Sequence, residues 1–569
     1  MFDYEEKLNE LFDSEEKKIN YDTSYFKLPI EYNEPGTIND IVKSDLEMSD
    51  DSGESGEGNI YKHLVSDSLL VHKWSSLYTS KKSFLKDTQQ HIRYYPKTET
   101  MNCMLDEYKV FKGESNFMER YQYISLKCLK PLNNSSLFLQ CLGMFNLASP
   151  VLSLLSPLFV LILPFIILKI RGIPITISLY ISFLKQLLQK NGFYHMITNF
   201  NSIPAQQKMS SIMSLLFYIF QVYSNVLSCI TFYRNTNRVS TFLNNYSIHV
   251  TNSIRLMEKV QASISKYKTY TTFYNEIEHH KGVMKHLLLR FNMILPYDNT
   301  LAKMTQIGHL MSLYYDIYYG DDLHNTFMYS IYLNQYDKDI ISISLKCKEG
   351  LLRKCRYSKS TKIDSMYYLP HINDNPVKNN ISLETNIIIT GPNASGKTTL
   401  LKSALINVLM SQQFGYGCYK SAKIKIYDMF HSYLNIPDTS GRDSLFQAEA
   451  RRCKDILECI HDNQDKQHLC IFDEIYSGTN PNDAVLCANL YLKGLNHYKK
   501  SVDYVLTTHY IQLCENFKKD ALVNNLKMDV RVSDDDIRYL YTIVPGISYV
   551  HGGKHILKKM NYPEYLFTL

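Results

Sequence analysis

Residues 387–401 read Ile387-Ile388-Ile389-Thr390-Gly391-Pro392-Asn393-Ala394-Ser395-Gly396-Lys397-Thr398-Thr399-Leu400-Leu401. A β-branched run breaks into a glycine-bounded loop and continues as a helix, the order that a phosphate-binding loop requires. Gly391 and Gly396 let the backbone curl around Pro392-Asn393-Ala394-Ser395 so that successive N–H groups of the loop converge on an anion, and the helix adds its positive N-terminal end. Lys397 is the residue expected to bridge the β- and γ-phosphates of a nucleotide. Thr398 offers a hydroxyl to Mg²⁺, and Thr399 continues the first turn.

Three later segments extend a nucleotide site toward hydrolysis. His468-Leu469-Cys470-Ile471-Phe472-Asp473-Glu474 is an apolar run of buried-strand type ending in two carboxylates, where ligands sit in open α/β sheets. Asp473 is expected in the Mg²⁺ shell, and Glu474 is expected to polarise the attacking water. Tyr504-Val505-Leu506-Thr507-Thr508-His509 is a second strand with polar groups at its end, so that His509 could sense the γ-phosphate. Gly441-Arg442-Asp443-Ser444 precedes a helix expected from about Ala450 to His461, and Ser444 reads by itself as a helix cap.

In this order the motifs resemble the ATPase domain of the MutS family, a branch of the ABC-type ATPases. The residues that carry the resemblance are GPNASGKTTL, then SLFQAE (Ser444–Glu449), FDEIYSGTNPND (Phe472–Asp483) and TTHY (Thr507–Tyr510), with Val544-Pro545-Gly546-Ile547-Ser548 and a helix-like Gly553–Tyr562 segment before Pro563-Glu564. It covers roughly residues 370–569. The resemblance implies ATP and Mg²⁺ as cofactors and a homodimer with composite sites. In such a dimer Ser444 of one subunit reaches the γ-phosphate held by the other, and the Gly478–Asp483 loop crosses the same interface. It also implies DNA as a ligand. This sequence departs from the family pattern in having one extra residue between Gly441 and Ser444. The expectation is also of a chain without the helix-turn-helix extension of many MutS proteins, and without their mismatch-reading domain. Phe117-Met118-Glu119 fits the Phe-x-Glu wedge tripeptide, but 26 Phe make a chance match expected.

Composition bounds the rest. With 569 residues and 45% hydrophobic side chains the chain can bury several cores, and a formal net charge of +6 neither demands nor excludes a polyanionic partner. The 12 cysteines include no C-x-x-C pair, which suits reduced thiols in a cytosol-like compartment with no structural metal. His279-His280, beside Glu276 and Glu278, reads as a solvated helix face rather than a metal site. The basic run Arg353, Lys354, Arg356, Lys359 and Lys362 reads as a solvated loop, with phosphate-backbone contact as the other reading.

Met1 to Asn20 is charged throughout and predicts no cleavable signal. Ser44 to Gly58 is acidic and Ser/Gly-rich and predicts a disordered loop. Between Lys130 and Lys169 there is no charged side chain, and Leu147 to Leu168 is almost wholly apolar, long enough to cross a bilayer, for which about 20 residues suffice. Pro150, Pro157 and Pro164 would share one helix face. Met209 to Tyr233 is a second uncharged stretch. Together they predict a membrane hairpin, the other reading being a buried helical core. Lys and Arg flank both stretches, so orientation is left open.

The expected fold is multidomain, α and α/β. It has a partly disordered helical N-terminal segment (1–130), a hydrophobic hairpin (131–234), a helical core and lever-like segment (235–375) and an ABC-type P-loop ATPase domain (376–569). The expected function is a dimeric MutS-like ATPase acting on DNA in repair or recombination. The alternative is a membrane-tethered, cytosol-facing ATPase with a non-DNA output.

Overall fold

The computed structural model describes residues 23–48, 58–66, 68–97, 104–172, 176–189, 205–294, 305–434, 444–532 and 537–550, with residues 560 and 562. Met1 to Asn20, Gly441 to Asp443 and nearly all of the closing segment from Gly553 lie outside the described residues. The longer helices, in chain order, are α1 (Lys82–Arg93), α2 (Ser136–Ile170), α3 (Ile177–Gln189), α4 (Ala205–Ile264), α5 (Thr271–Asn292), α6 (Ile307–Tyr319), α7 (Asp321–Glu349), α8 (Lys397–Gln413), α9 (Leu445–Asp462) and α10 (Pro481–His497). The chain forms two compact units. One gathers Met1–Met101, Leu256–His279 and Met328–Leu569, and the other Asn102–Arg255 and His280–Phe327.

The first unit is α/β. A two-stranded ribbon pairs β1 (Pro35–Thr37) with β2 (Leu77–Thr79), and a five-stranded sheet has the order β5 (Asn379–Ser382), β4 (Lys362–Met366), β8 (Ser421–Lys425), β3 (Arg353–Ser358), β7 (Tyr416–Gly417). A six-stranded sheet has the order β13 (Ile537–Pro545), β12 (Val523–Val532), β6 (Asn386–Thr390), β11 (Val502–Thr508), β10 (His468–Asp473), β9 (Met429–Tyr433). Within it β9, β10, β11, β6 and β12 run parallel, and only β13 is antiparallel to its neighbour. Strands buried on both faces need continuous apolar runs; accordingly every residue of β6 and β11 is buried. Ile388, Phe472 and Leu506 share one core cluster with Ile456 of α9 and Tyr491 of α10.

Register fixes the functional edge. Asp473 lies opposite Thr507, and Thr508 opposite Thr390, so the C-terminal ends of β10, β11 and β6 stand side by side. Of the basic run expected as a loop, Arg353, Lys354 and Arg356 belong instead to β3 and Lys362 to β4, and Lys359 alone lies in the turn between them. Their charges point outward while Cys355 and Ile363 are buried. The inward residues are too few for the alternation to stand out among so many cations.

Of the segment 1–130 expected as an N-terminal domain, the part up to Met101 packs within this same unit, and the rest belongs to the helical one. Gln89 of α1 donates to Gly415 O at 2.8 Å, and Gln413 of α8 donates to Trp74 O at 2.8 Å. Gly415 has φ 77°, and a Cβ there would lie 2.2 Å from Gln89 Cγ, so only glycine allows the approach. The stretch expected as a disordered loop from Ser44 begins inside a helix, Asp40–Asp45, and residues 49–57 lie outside the described ones. Asp45 is buried and accepts from Ser432 Oγ (2.7 Å), Leu434 N (3.2 Å) and Arg452 Nη2 (2.9 Å). Glu47 pairs with Lys402 at 2.6 Å. Such acidic residues look solvated in sequence because their partners lie hundreds of positions away.

The second unit is helical. Gly308 N on α6 donates to Gln140 Oε1 of α2 at 2.8 Å, and a Cβ on Gly308 would sit 2.0 Å from Ser136 O, so glycine sets how closely α6 meets α2. Tyr218 on α4 donates to Ser153 O at 3.2 Å, and Cys229 Sγ to Leu147 O at 3.6 Å. Position rises on α4 as it falls on α2, which makes the pair antiparallel. Phe117 is buried, its ring 3.6 Å from that of Tyr318 and stacked on it. It is core rather than an exposed wedge. Among the described residues no group of three or more His, Cys, Asp or Glu is placed to hold a metal ion, and His280 Nδ1 instead meets Thr326 Oγ1 at 2.9 Å.

The pair of buried Asp45 and half-buried Arg452 gives a stability prediction. Asp45→Ala removes the carboxylate partner of Arg452, which keeps only the Ser432 carbonyl, and should lower unfolding free energy by about 3 kcal/mol, measured by urea denaturation. Asp45→Ala combined with Arg452→Ala should cost less than the sum of the single changes.

Candidate nucleotide site at the strand ends

Gly391 follows β6, and the loop Gly391–Gly396 closes onto the first turn of α8, whose N-cap is Gly396 with φ 88°. Ala394 also adopts a left-handed backbone (φ 64°), so the loop curls back over the helix end. A Cβ on Gly391 would lie 2.8 Å from Met528 Cβ and 2.9 Å from Ser395 Oγ, and one on Gly396 would lie 3.0 Å from Tyr541 Cδ1. The loop is thus pressed on β12 and β13 with no room for side chains at its glycines. Ser395 Oγ is buried with no hydrogen-bond partner among the described residues.

Beside the loop is a cavity of about 660 Å³ lined by Asn393, Ala394, Gly396, Lys397, Thr398 and Thr399 from the loop and α8, with Asp473 and Glu474 from the end of β10. Lys397 is 6% exposed, and its Nζ meets Glu474 Oε1 at 3.0 Å, Gly391 O at 3.1 Å and Pro392 O at 3.4 Å. Glu474 Oε2 lies 3.4 Å from His509 Nδ1. The His509 contact first, then Lys397, holds the Glu474 carboxyl down at about 2 against the opposing effect of burial. Glu474 is therefore a carboxylate throughout the neutral range. It also sits at φ 49°, with Tyr476 at φ 59°, conformations that cost about 1 kcal/mol each for residues with a Cβ and that aim the Glu474 side chain back at the loop.

Asp473 behaves oppositely. Burial pushes its carboxyl upward, partly offset by hydrogen bonds from the hydroxyls of Thr398 and Thr507. Two adjacent carboxylates are thereby set apart, one tied to cations and one to hydroxyls.

The structure brings together Asn393, Ala394, Gly396, Lys397, Thr398, Thr399, Asp473 and Glu474 around the cavity, with His509 behind Glu474. Gly391, Pro392 and Ser395 are buried beneath the loop. Ser444 is not brought into the cavity. It caps α9, accepting from Gln447 N at 3.3 Å while Gln447 Oε1 accepts from Ser444 N at 3.1 Å. This capping box starts the helix at Leu445 rather than near Ala450.

Sequence reading gave no role to Thr507, Glu449 or Tyr541. Glu449 is buried and accepts from Ser477 N (3.0 Å), Ser477 Oγ (2.8 Å) and Gly478 N (3.1 Å), holding the turn after Glu474. Its placement on the buried face of α9 was the available signal, since a carboxylate there needs donors. Tyr541, on a sheet-edge hairpin, had none.

Parallel strands, a glycine-bounded loop between strand and helix, and paired carboxylates at the neighbouring strand end define an α/β unit with a polar cleft at one edge of its sheet. Residues 387–568 match the family described as MutS domain V. Over 196 residues the chain is 30% identical to the DNA mismatch repair protein MutS of Christiangramia forsetii, covering 33% of this chain and 22% of that protein. It is 31% identical over 183 residues to that of Caldicellulosiruptor saccharolyticus (31% and 20% covered), and 29% over 178 to that of Aquifex pyrophilus (31% and 20%). The chain thus spans about a fifth of the length of these relatives. Through this C-terminal third it is a MutS-like member.

Because the His509 contact is the leading cause of the low Glu474 titration, His509→Ala should move that carboxyl from about 2 up toward the ordinary glutamate range. Carboxyl ¹³C shifts followed through an acid titration would read the change.

Proposed function

We propose that this chain is a MutS-like ATPase, binding ATP and Mg²⁺ at the Gly391–Thr399 loop and hydrolysing the nucleotide. The observation that carries the reading is the buried Lys397 ammonium, 3.0 Å from Glu474, in a cavity shared with Thr398 and Asp473. A cationic group beside loop amides suits a phosphate chain. The donor set of a threonine hydroxyl and a carboxylate suits a hard, oxygen-seeking cation, and the unpartnered Ser395 Oγ leaves a hydrogen-bonding group free in the loop. Bound Mg²⁺ would supply charge neutralisation on the phosphate oxygens. Lys397 would turn from Glu474 toward the phosphates, and Thr398 and Asp473 would hold the cation. Glu474, released from Lys397 but still held by His509, would orient and polarise the attacking water.

The reading extends to a homodimer in which Ser444, exposed at the start of α9, serves the phosphates of the partner copy. An exposed serine on a helix N-terminus is a suitable anion donor. The names of the relatives, DNA mismatch repair protein MutS, support DNA as the ligand. With Phe117 buried in the helical unit, preference should follow DNA shape, such as a junction or flap, rather than a mismatch.

Lys397→Ala should abolish nucleotide binding, whereas Glu474→Gln should bind and hydrolyse slowly, accumulating as an ATP-locked dimer that Ser444→Ala weakens. Mixing Lys397→Ala with Ser444→Ala chains concentrates both defects in one site of each heterodimer. Recovered ATPase activity would support sharing, and none, with heterodimers shown to form, would remove it.

DNA affinity should fall linearly in log–log form with salt, with a slope of about −0.9 per phosphate neutralised. Titrations of junction, flap and linear duplex at several salt concentrations would read this. Equal affinity for all three, matching an unrelated protein of similar charge, would contradict the DNA reading.

A further inference from the structure

The helical unit carries an apolar surface that its own fold leaves uncovered. Only 11% of the apolar window in Ser136–Leu155 and 6% of that in Lys208–Ile264 is buried, unlike a core helix of a water-soluble domain. Phe145, Leu154, Leu216, Phe217 and Phe220 are all more than half exposed. Isolated apolar side chains on a surface need no explanation, but a continuous band along two paired helices does.

The dimensions and charges of this band identify what covers it. The uncharged stretch of α4 from Met209 to Tyr233 is roughly 37 Å long at the helical rise, and α2, with 35 residues, is longer. A hydrocarbon core of about 30 Å fits within both. Cations bracket the band at both ends: Lys127, Lys130, Arg234 and Arg238 at one, and Lys169, Arg171 and Lys208 at the other. That double collar matches two layers of lipid headgroups.

The proline positions supply an independent observation. Proline at position i frees the carbonyl at i−4, which in water would be solvated and in hydrocarbon must be satisfied from within. Pro150 frees Asn146 O, which accepts from Ser149 Oγ at 3.0 Å. Pro157 frees Ser153 O, which accepts from Tyr218 Oη at 3.2 Å across the helix pair. At the end of the pair nearer the helical unit, Gln122 bridges the two helices, accepting from Asn146 Nδ2 of α2 at 2.6 Å and donating to Ser228 Oγ of α4 at 3.3 Å.

We propose that the Leu147–Leu168 part of α2 and the Met209–Leu227 part of α4 form an antiparallel hairpin that inserts into a lipid bilayer. The proposal does not depend on the nucleotide reading. Meanwhile Leu139 and Phe232, near the other end of the pair, are buried within the helical unit, which anchors the hairpin to the protein.

The test uses the full chain synthesised with phosphatidylcholine–phosphatidylglycerol vesicles, followed by alkaline carbonate washing and flotation. The wild-type chain should float and stay with the vesicles after the wash. Leu155→Arg combined with Phe217→Arg should shift the chain toward the soluble fraction roughly tenfold or more. Ile248→Arg, exposed on α4 beyond the band, should change nothing. Circular dichroism of each variant in detergent checks that helix content is kept; should the double variant lose it, Leu155→Arg alone carries the comparison. A wild-type chain that is monodisperse without detergent and does not float would overturn the proposal. A soluble oligomer of defined size, dispersed by Phe217→Arg, would overturn it in favour of a second copy covering the band.

Discussion

The Lys397 ammonium, almost wholly withdrawn from water, is the constraint on which the C-terminal sheet turns. A buried cation needs acceptors on every side, and here there are four: the carbonyls of Gly391 and Pro392, Asn393 Oδ1, and the Glu474 carboxylate at 3.0 Å. Satisfying it requires β6 and β10 to end at the same level with β11 between them, and the parallel register Asp473 to Thr507 and Thr508 to Thr390 does this. The glycines, the left-handed Glu474 and the buried Glu449 beneath the following turn are all consequences of bringing that carboxylate to that lysine.

The same pairing separates the two neighbouring carboxyls. Glu474, bonded to His509 and Lys397, is held low, whereas Asp473 is raised by burial and meets only hydroxyls. Groups that differ in this way suit different tasks, one kept ionised beside a cation and one ready to exchange hydroxyl partners for a harder ligand.

What was legible in the sequence was what is local. The Ile387–Ile389 run, the Gly391–Thr399 loop and the strand ends at Asp473 and His509 each declare themselves within a dozen residues, and all reappear at one edge of the sheet. Ser444 was legible too, as the helix cap it forms within this chain. Long-range partners were invisible. Asp45 meets Arg452 across 407 positions, so an acidic stretch that looked disordered supplies a buried carboxylate. Thr507 showed only as a polar strand end until register set it against Asp473. The cations of β3 concealed an alternating strand because charge outweighs pattern in so short a run. The apolar hairpin was readable as composition, but only the paired helices show that Tyr218 occupies the carbonyl Pro157 leaves free.

The central claim is that the Lys397–Glu474 contact holds the place of a nucleotide's phosphates. Its most direct test is the Lys397 Nζ to Glu474 Oε1 separation in a structure of the full chain saturated with Mg²⁺ and a non-hydrolysable ATP analogue. The account predicts that the 3.0 Å contact opens beyond hydrogen-bonding reach, with Lys397 on the phosphates and the Thr398 hydroxyl turned away from Asp473. A chain exposed to saturating analogue that keeps the pair at its present distance, with no nucleotide along the Gly391–Thr399 loop, would contradict it.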